Sequence, residues 1–541
     1  MTSTSLAPPA SAPRAARTRR VGAWLISPAG GTLLVGVTFL AITLWWVLTD
    51  VRDVNNDNAR HILITSTWSE YIARGDLLGP FRDWVGYPPG VHLVGVVANA
   101  LFGLKVWALV FAQNLVFVPL LALGVYGTAK LAFGRAAGLL AVVFALGTPL
   151  VMSMFHVFML DAPEAAMVAM TVWLVLLSQR FERIGIAALA GLAAAVGMYT
   201  KPTFLVFIAG LVLAVLLRGG WRHPKGVLAF VLVLAVLAGP WYAQHFDVLG
   251  GSTTGLVGAG AGGVDGAPVW YGNVRYPERD ELRNFAWYPW SLMNHTLYLP
   301  LTLFFVAGVG WSLWQLRRAQ WRASLLPELL VGGAIGYLAI SLIILKDPRY
   351  SLPCLVYIAV LAVGWVTTLP RRPRMIAAAL LTGIVVFNTV THNLGVGGTQ
   401  NIVTSKAIPG NPIGEYTATV YRDTGYFEGP PVRTHAGFVK LLNDLHDKLG
   451  ARRAVPHQPA FSSPPYSLIG TTILVKGSKL ELPGFTSASV KTREDAWIVR
   501  MPISYIKRRP CLVLPGDAGS GLYVYLGKVP VDYRKVEPDC P

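Results

Sequence analysis

The run ITLWWVLTDVRDVNNDNARHILITSTWSEYIARGD occupies Ile42–Asp76. Within a few residues it changes from a segment suited to hydrocarbon into one crowded with acids, amides and a histidine. The apolar part reaches back to about Ala23, long enough for the ~20 residues with which a helix crosses a hydrocarbon layer of roughly 30 Å. An edge this abrupt suits a membrane surface better than the rim of a globular core.

Composition carries the same message. The chain has 541 residues, 53% of them hydrophobic and 14% charged, with a mean hydropathy of +0.50. That is more apolar surface than a globular core hides, so an integral membrane protein is expected. The formal net charge of +18 does not by itself indicate nucleic acid, because basic loops on a membrane protein are explained by the positive-inside rule. Residues 1–22, rich in Pro, Ala, Ser and Arg, read as a disordered cytoplasmic arm. The stretch from Ala23 to Thr49 reads as a retained signal anchor whose start is held in the cytoplasm by Arg14, Arg17, Arg19 and Arg20.

Cutting the remainder by length and basic punctuation gives one helix lying at the outer interface, Val91–Phe102, and crossings near 105–129, 136–153, 163–178, 184–199, 202–217, 226–245, 297–316, 326–345, 351–369 and 375–391. With the anchor, eleven crossings are expected. Alternate loops must then be internal, and they contain Lys130 and Arg135; Arg180 and Arg183; Arg218, Arg222 and Lys225; Arg317, Arg318 and Arg322; Arg371, Arg372 and Arg374. Every expected inner loop is basic. The outer face receives Asp53 and Asp57, the loop around Asp161, Thr200-Lys201-Pro202, the segment 250–290, and Lys346 to Tyr350. Polar groups that a membrane helix would rather avoid therefore gather on one side.

From about residue 392 the character changes. Runs such as TTILVK, AWIVR and LYVYLG alternate with an amphipathic stretch near HAGFVKLLNDLHDKLGARR, as in a small α/β domain. The expected architecture is an all-α polytopic membrane domain over 23–391 and a C-terminal α/β extracytoplasmic domain over 392–541, in a multi-pass protein of the plasma membrane. Cys354 falls in an expected crossing, as a small buried hydrophobe. Cys511 and Cys540 both fall in the exported part, where an oxidising compartment favours a disulfide between them; a loop of that size contributes on the order of 3 kcal/mol.

No tandem repeat, CxxC pair, HExxH helix or Walker loop is present. The Gly-rich run at 250–266 follows no strand and precedes no Gly-Lys-Ser/Thr, so it reads as a flexible outer loop, or as a lid over substrate. The remaining polar residues have both plain and chemical readings. Asp57 suits an N-cap for a helix over Asn58–Arg74, with His61 four residues on along the same face. Asp161 and Glu164 in LDAPE fit a capping box, with Pro163 in the first turn. Lys201 and Arg349 suit snorkelling ends of crossings, and Lys346 with Asp347 suits a solvated pair.

The order and sidedness of these pieces add to the individual readings. Asp57 after the first crossing, Gly75-Asp76, YPPG at Tyr87–Gly90, LDAP at Leu160–Pro163, MYTKP at Met198–Pro202 and RYSLP at Arg349–Pro353 occur in sequence. In this the chain resembles membrane glycosyltransferases of the C superfamily, in particular the branch of protein O-mannosyltransferases and lipid A aminoarabinose transferases, over roughly residues 30–370.

The resemblance implies transfer of a sugar from a polyprenyl-phosphate carrier to a glycan, lipid or protein acceptor on the outer face, with inversion. It implies Asp57 as general base, with Asp161 orienting the acceptor or supporting that base. Arg349, Lys201 and Lys346 would hold the donor phosphate, and His61, Tyr87 and Tyr350 would contact substrate. The sequence departs from the family at Asn58, where relatives commonly carry Glu, and at Tyr87, where the lipid A branch has Lys. No cofactor is indicated; a divalent metal stays open, though no residue spacing points to one. The partners implied are the lipid-linked donor, the acceptor and the bilayer, with no nucleic acid. Two further classes stay open on sequence: a polytopic transporter or lipid-carrier flippase, and a scaffold for envelope enzymes.

Overall fold

The computed structural model describes residues 27–50, 56–82, 87–246, 283–318, 324–342 and 347–396, with short strands at Trp270–Tyr271 and Val274–Arg275, and after 396 chiefly backbone strands as far as residue 526. The N-terminal arm, the Gly-rich run at 250–266, Lys346, Cys511 and Cys540 lie outside the described residues.

Helix α1, Pro28–Thr49, starts where Ser27 Oγ accepts from the Gly30 amide and Pro28 fills a position that needs no N–H. Three helices follow, α2 (Asn56–Ala73), the single turn α3 (Gly79–Arg82) and α4 (Gly90–Phe102). Ile64 and Trp68 of α2 bury against Val96 of α4, with Tyr87 beside them. Next come α5 (Val106–Phe133) and α6 (Arg135–Leu146), separated by Gly134 at φ +93°, a backbone conformation that suits glycine. The single crossing expected over 136–153 is in fact broken: α6 ends at Leu146, Pro149 starts α7 (Pro149–Phe155), and the two meet at a 64° bend. Proline has no N–H to continue a helix but suits the first turn of a new one.

The bundle continues with α8 (Asp161–Leu177), α9 (Ile184–Thr200), α10 (Phe204–Leu217), α11 (Pro224–Gln244) and α12 (Arg283–Ser291), which runs into a π turn at Leu292–Thr296. It closes with α13 (Tyr298–Leu316), α14 (Leu326–Leu342), a 3-10 segment Pro348–Cys354, α15 (Leu355–Thr368) and α16 (Arg371–Leu394). Among the described residues six helices are long and apolar enough to cross a membrane, seven with the bent α6–α7 pair; α4, α9, α10 and α14 are shorter apolar helices.

Burial separates centre from periphery. In the most apolar 18-residue stretch of Pro348–Thr368, 83% of the residues are buried, against 17% in that of α1, and α8 is buried on nearly every side. The outer helices expose Leu33, Leu34, Val236, Leu303, Ile376 and Leu380. In water each such side chain forgoes roughly 1.5–3 kcal/mol of burial; against lipid tails there is no such loss. The chain is a multi-pass membrane protein. Cys354 is buried beside Gly336, as a small hydrophobe should be.

At one end of this bundle Arg218, closing α10, meets Glu328 in the first turn of α14, and its guanidinium also donates to the Ser324 carbonyl at 2.9 Å. Glu328 is buried. Removing one partner of such a pair leaves an uncompensated charge, so Arg218→Met is expected to destabilise the protein by roughly 3–5 kcal/mol. Thermal unfolding in detergent checks this, and Glu328→Gln in the same chain should recover most of the loss.

The basic clusters at 130–135, 180–183, 218–225, 317–318 and 371–374 all sit at junctions on this same end. Asp161 opens α8, Lys201 follows α9 and Arg349 precedes α15, so the residues singled out above occupy the opposite end.

Beyond the bundle, β3 (Gln400–Ser405) pairs antiparallel with β4 (Tyr416–Tyr421). A four-stranded mixed sheet has the order β5 (Arg453–His457), β6 (Asp495–Pro502), β8 (Ser520–Leu526), β7 (Leu512–Pro515), with β5 and β6 parallel and the other pairs antiparallel. The runs AWIVR and LYVYLG are therefore the neighbours β6 and β8, in register Trp497 to Tyr525. The run TTILVK and most of the stretch expected as a helix lie outside the described residues.

Candidate active site

Helix α2 begins just beyond α1 and carries Asp57 in its first turn. The Asp57 carboxylate turns to the 3-10 segment, where Arg349 Nη1 donates to its Oδ2 at 3.1 Å. Arg349 is anchored from its other side by Asp347, whose Oδ2 accepts from Nε at 2.9 Å and from Nη2 at 2.6 Å. Asp347 Oδ1 also accepts from the Arg349 amide and so caps the 3-10 turn. The solvated Lys346–Asp347 pair expected from sequence is corrected here: Asp347 is buried, and its partner is Arg349.

A second cluster adjoins the first. Lys201 Nζ donates to Asp161 Oδ1 at 2.8 Å, lies 3.8 Å from Glu164 Oε2 and sits 4.9 Å from the centre of the Tyr350 ring. Thr203 donates to Glu164 Oε1 at 2.6 Å. The capping box read into LDAPE is not formed. Residue 160 precedes the helix without a side-chain cap, and both carboxylates reach across to α9 and α10 instead. Snorkelling is corrected in the same way: the Lys201 and Arg349 side chains are only 17% and 14% exposed and turn inward to acids. Burial opposes the charge on Lys201, but Asp161 and Glu164 outweigh it and hold the ammonium pKa above its usual range.

Side-chain amides fix the loop between α7 and α8. Asn58 Oδ1 accepts from the Phe158 amide at 3.2 Å, Gln113 Nε2 donates to the Val157 carbonyl at 3.2 Å, and Asn114 Nδ2 donates to the Phe155 carbonyl at 2.9 Å. Asn58, where relatives commonly carry Glu, thus ties the turn holding Asp57 to the loop that leads into Asp161.

His61 is buried one helical turn after Asp57. Its ring meets the Tyr87 ring edge-on at 4.7 Å, and its Nδ1 lies 3.1 Å from His92 Nε2. Arg60 rests over the face of Tyr87 at 5.1 Å. Burial lowers the His61 pKa to about 3, with Asp161 opposing and Arg60, Arg349 and Lys201 reinforcing the shift, so the ring is neutral at physiological pH.

Of the residues expected from sequence, the structure thus brings together Asp57, Asp161, Arg349, Lys201, Tyr350, His61 and Tyr87. It adds Asp347, Glu164, Asn58 and His92. Glu164 and Asp347 were visible only through local readings, and His92 gave no signal beyond lying two residues after YPPG. Among the described residues no group of three or more His, Cys, Asp or Glu side chains is arranged to hold a metal ion.

Adjacent to the 3-10 segment an apolar cavity of about 330 Å³ opens between α12, α13, α14 and α15. Leu292, Phe305, Val306, Ile340 and Tyr357 line it, and Ser351, two residues from Arg349, marks the end nearest the ionic cluster.

Residues 87–242 match the family described as dolichyl-phosphate-mannose-protein mannosyltransferase. Among solved structures, ArnT from Cupriavidus metallidurans bound to undecaprenyl phosphate is similar at a TM-score of 0.55 and 16% identity, over 90% of this chain and 97% of that one. The same protein in the apo state gives a TM-score of 0.47 at 22% identity, over 67% of this chain and 64% of that one, just under two thirds of its length. The apo Archaeoglobus fulgidus oligosaccharyltransferase gives 0.44 at 13% identity, over 85% of this chain and 62% of that one. No match was found among curated protein sequences. The membrane fold is that of ArnT, and the chain is similar to membrane glycosyltransferases of the mannosyltransferase and ArnT type.

Proposed function

We propose that this relative of the mannosyltransferase- and ArnT-type membrane glycosyltransferases transfers a sugar from a polyprenyl-phosphate carrier to an acceptor hydroxyl at the outer face of the membrane. Its helices would make eleven crossings, with the basic junctions inside and the chain after residue 391 exported as an α/β domain.

The observation that carries this reading is the arrangement around Arg349. One side of its guanidinium is fixed by buried Asp347. Among the described residues the other makes a single contact, to Asp57, whose side chain is 46% exposed. An arriving phosphate diester can take over that single contact, since a guanidinium binds phosphate oxygens as readily as carboxylate oxygens. Exchange at Arg349 releases Asp57 at the moment the donor is in place.

Chemistry follows from there. The freed Asp57 carboxylate accepts the proton of the acceptor hydroxyl as its oxygen attacks the anomeric carbon. The bond between that carbon and the phosphate oxygen breaks, its electron pair leaving with the phosphate, and the configuration inverts. Arg349 and Lys201 offset the charge that grows on the leaving group. Asp161 keeps Lys201 at that place. The apolar cavity beside Ser351 takes part of the carrier's isoprenoid chain, whose apolar surface suits a lining of Leu, Phe, Val and Ile side chains.

The test uses purified protein in nanodiscs with a panel of radiolabelled undecaprenyl-phosphate sugars and membrane extract. Asp57-dependent release of free undecaprenyl phosphate together with a labelled product is expected. Movement of intact lipid-linked sugar between leaflets without consumption would replace the transferase by a flippase.

A further inference from the structure

His61 and His92 form a buried chain that ends on a backbone carbonyl. His92 Nδ1 lies 3.3 Å from the Pro88 oxygen, and His92 Nε2 lies 3.1 Å from His61 Nδ1. A carbonyl oxygen only accepts, so His92 Nδ1 carries the hydrogen. Around His92 stand the rings of Trp68, Tyr87 and Phe158 as well as His61. A fully buried imidazole among rings, with no carboxylate against it among the described residues, stays neutral. Its Nε2 is then a bare acceptor, and the hydrogen shared with His61 belongs to His61 Nδ1. His61 is neutral too, because its burial, with Arg60, Arg349 and Lys201, outweighs the pull of Asp161. Its Nε2 must therefore be unprotonated, the reverse of the Nε2–H form that predominates in free histidine.

His61 Nε2 is the ring nitrogen not engaged with His92, and the ring lies beside the ionic clusters around Arg349 and Lys201. Arg60, Arg349, Lys201 and Asp161 all act on it. We propose that the His92–His61 pair is a tautomer lock, which makes His61 Nε2 an acceptor-only atom that takes a hydrogen bond from a hydroxyl group of the donor sugar. Hydroxyl groups are the donors that every sugar brings, whatever its other substituents. This deepens the transferase reading and, for its sugar half, rests on it. His61 touches substrate; His92 acts through it and is a positioning residue.

Nitrogen-15 histidine NMR of the full chain in nanodiscs tests the lock without any ligand, the His61 signals being assigned by their loss in His61→Gln. A protonated Nδ1 and a bare Nε2, unchanged between about pH 5 and 8 where free histidine titrates, are expected. A protonated Nε2, or a ring that titrates in that range, overturns the lock.

Undecaprenyl-phosphate mannose should then shift the His61 Nε2 resonance, and undecaprenyl phosphate alone should not. Donor binding, followed by phosphorus NMR, that leaves Nε2 unmoved overturns the sugar contact. Absence of donor binding sinks the transferase reading and the sugar contact together, while the tautomer result is read independently of both. His92→Leu should release the lock, giving mixed tautomers at His61 and a donor KM raised roughly three- to tenfold, the scale of one hydrogen bond, with kcat little changed. His92→Gln, whose amide oxygen accepts from His61 Nδ1, should restore both readouts. Locked tautomers and an unchanged KM in the leucine variant would overturn the role of His92.

Discussion

Asp57→Asn is expected to lower sugar transfer by about 10²–10⁴-fold, the range over which a positioned general base contributes, while leaving folding intact and donor binding undiminished. The substitution is nearly isosteric, and the amide oxygen can still accept from Arg349. The Asp57 side chain is 46% exposed, and a partly exposed ion pair contributes little to stability. Donor binding should even strengthen slightly, because the phosphate then displaces a neutral amide rather than a carboxylate from Arg349. Turnover with radiolabelled donor, donor affinity and melting temperature together decide the matter. Normal turnover in a folded variant would remove Asp57 from the chemistry.

Lys201→Met should be more severe, because it strikes stability and chemistry together. Lys201 is the cation that both Asp161 and Glu164 face, and both acids are buried. Two carboxylates left side by side in a poorly hydrated site repel each other and lose the cation they share, a loss of roughly 3–5 kcal/mol on the scale of a broken buried pair. Transfer should fall by at least about 10²-fold as phosphate stabilisation is lost. Combining it with Asp161→Asn and Glu164→Gln removes the stranded charges, and that triple variant should melt near the parent chain while remaining inactive. A triple variant that regained activity would show that Lys201 serves only to neutralise the acids.

These two outcomes depend on pairings that only the three-dimensional structure reveals. Most helix positions, the broad membrane class and the gathering of the basic loops at one end of the bundle could be read from the chain, since hydropathy and charge act locally. The break between α6 and α7 was written in Gly147-Thr148-Pro149 but was overridden by the apolar run on either side. The capping pattern in LDAPE spans only three residues, whereas the partner of Asp161 stands 40 residues on, at Lys201. Arg349 and Asp57 are 292 residues apart, and no periodicity reports on such a pair. The order of short motifs did point to Asp57, Asp161, Lys201 and Arg349, but it was silent on Asp347, on His92, and on Asn58 as the amide that joins two of those motifs.

Helix α8 is enclosed by protein on nearly every side, and Asp161 and Glu164 hang from its first turn, so neither acid can travel. Asp57, by contrast, sits on a helix at the rim and is half open to solvent. In the proposed reaction the arrangement resembles a bench with a fixed jaw and a sliding one: α8 is the surface against which substrate would rest, and adjustment to each cargo would come from the Asp57 side. Variation in what this protein accepts should accordingly accumulate along α2 and its neighbours, and hardly at all in the floor beneath them.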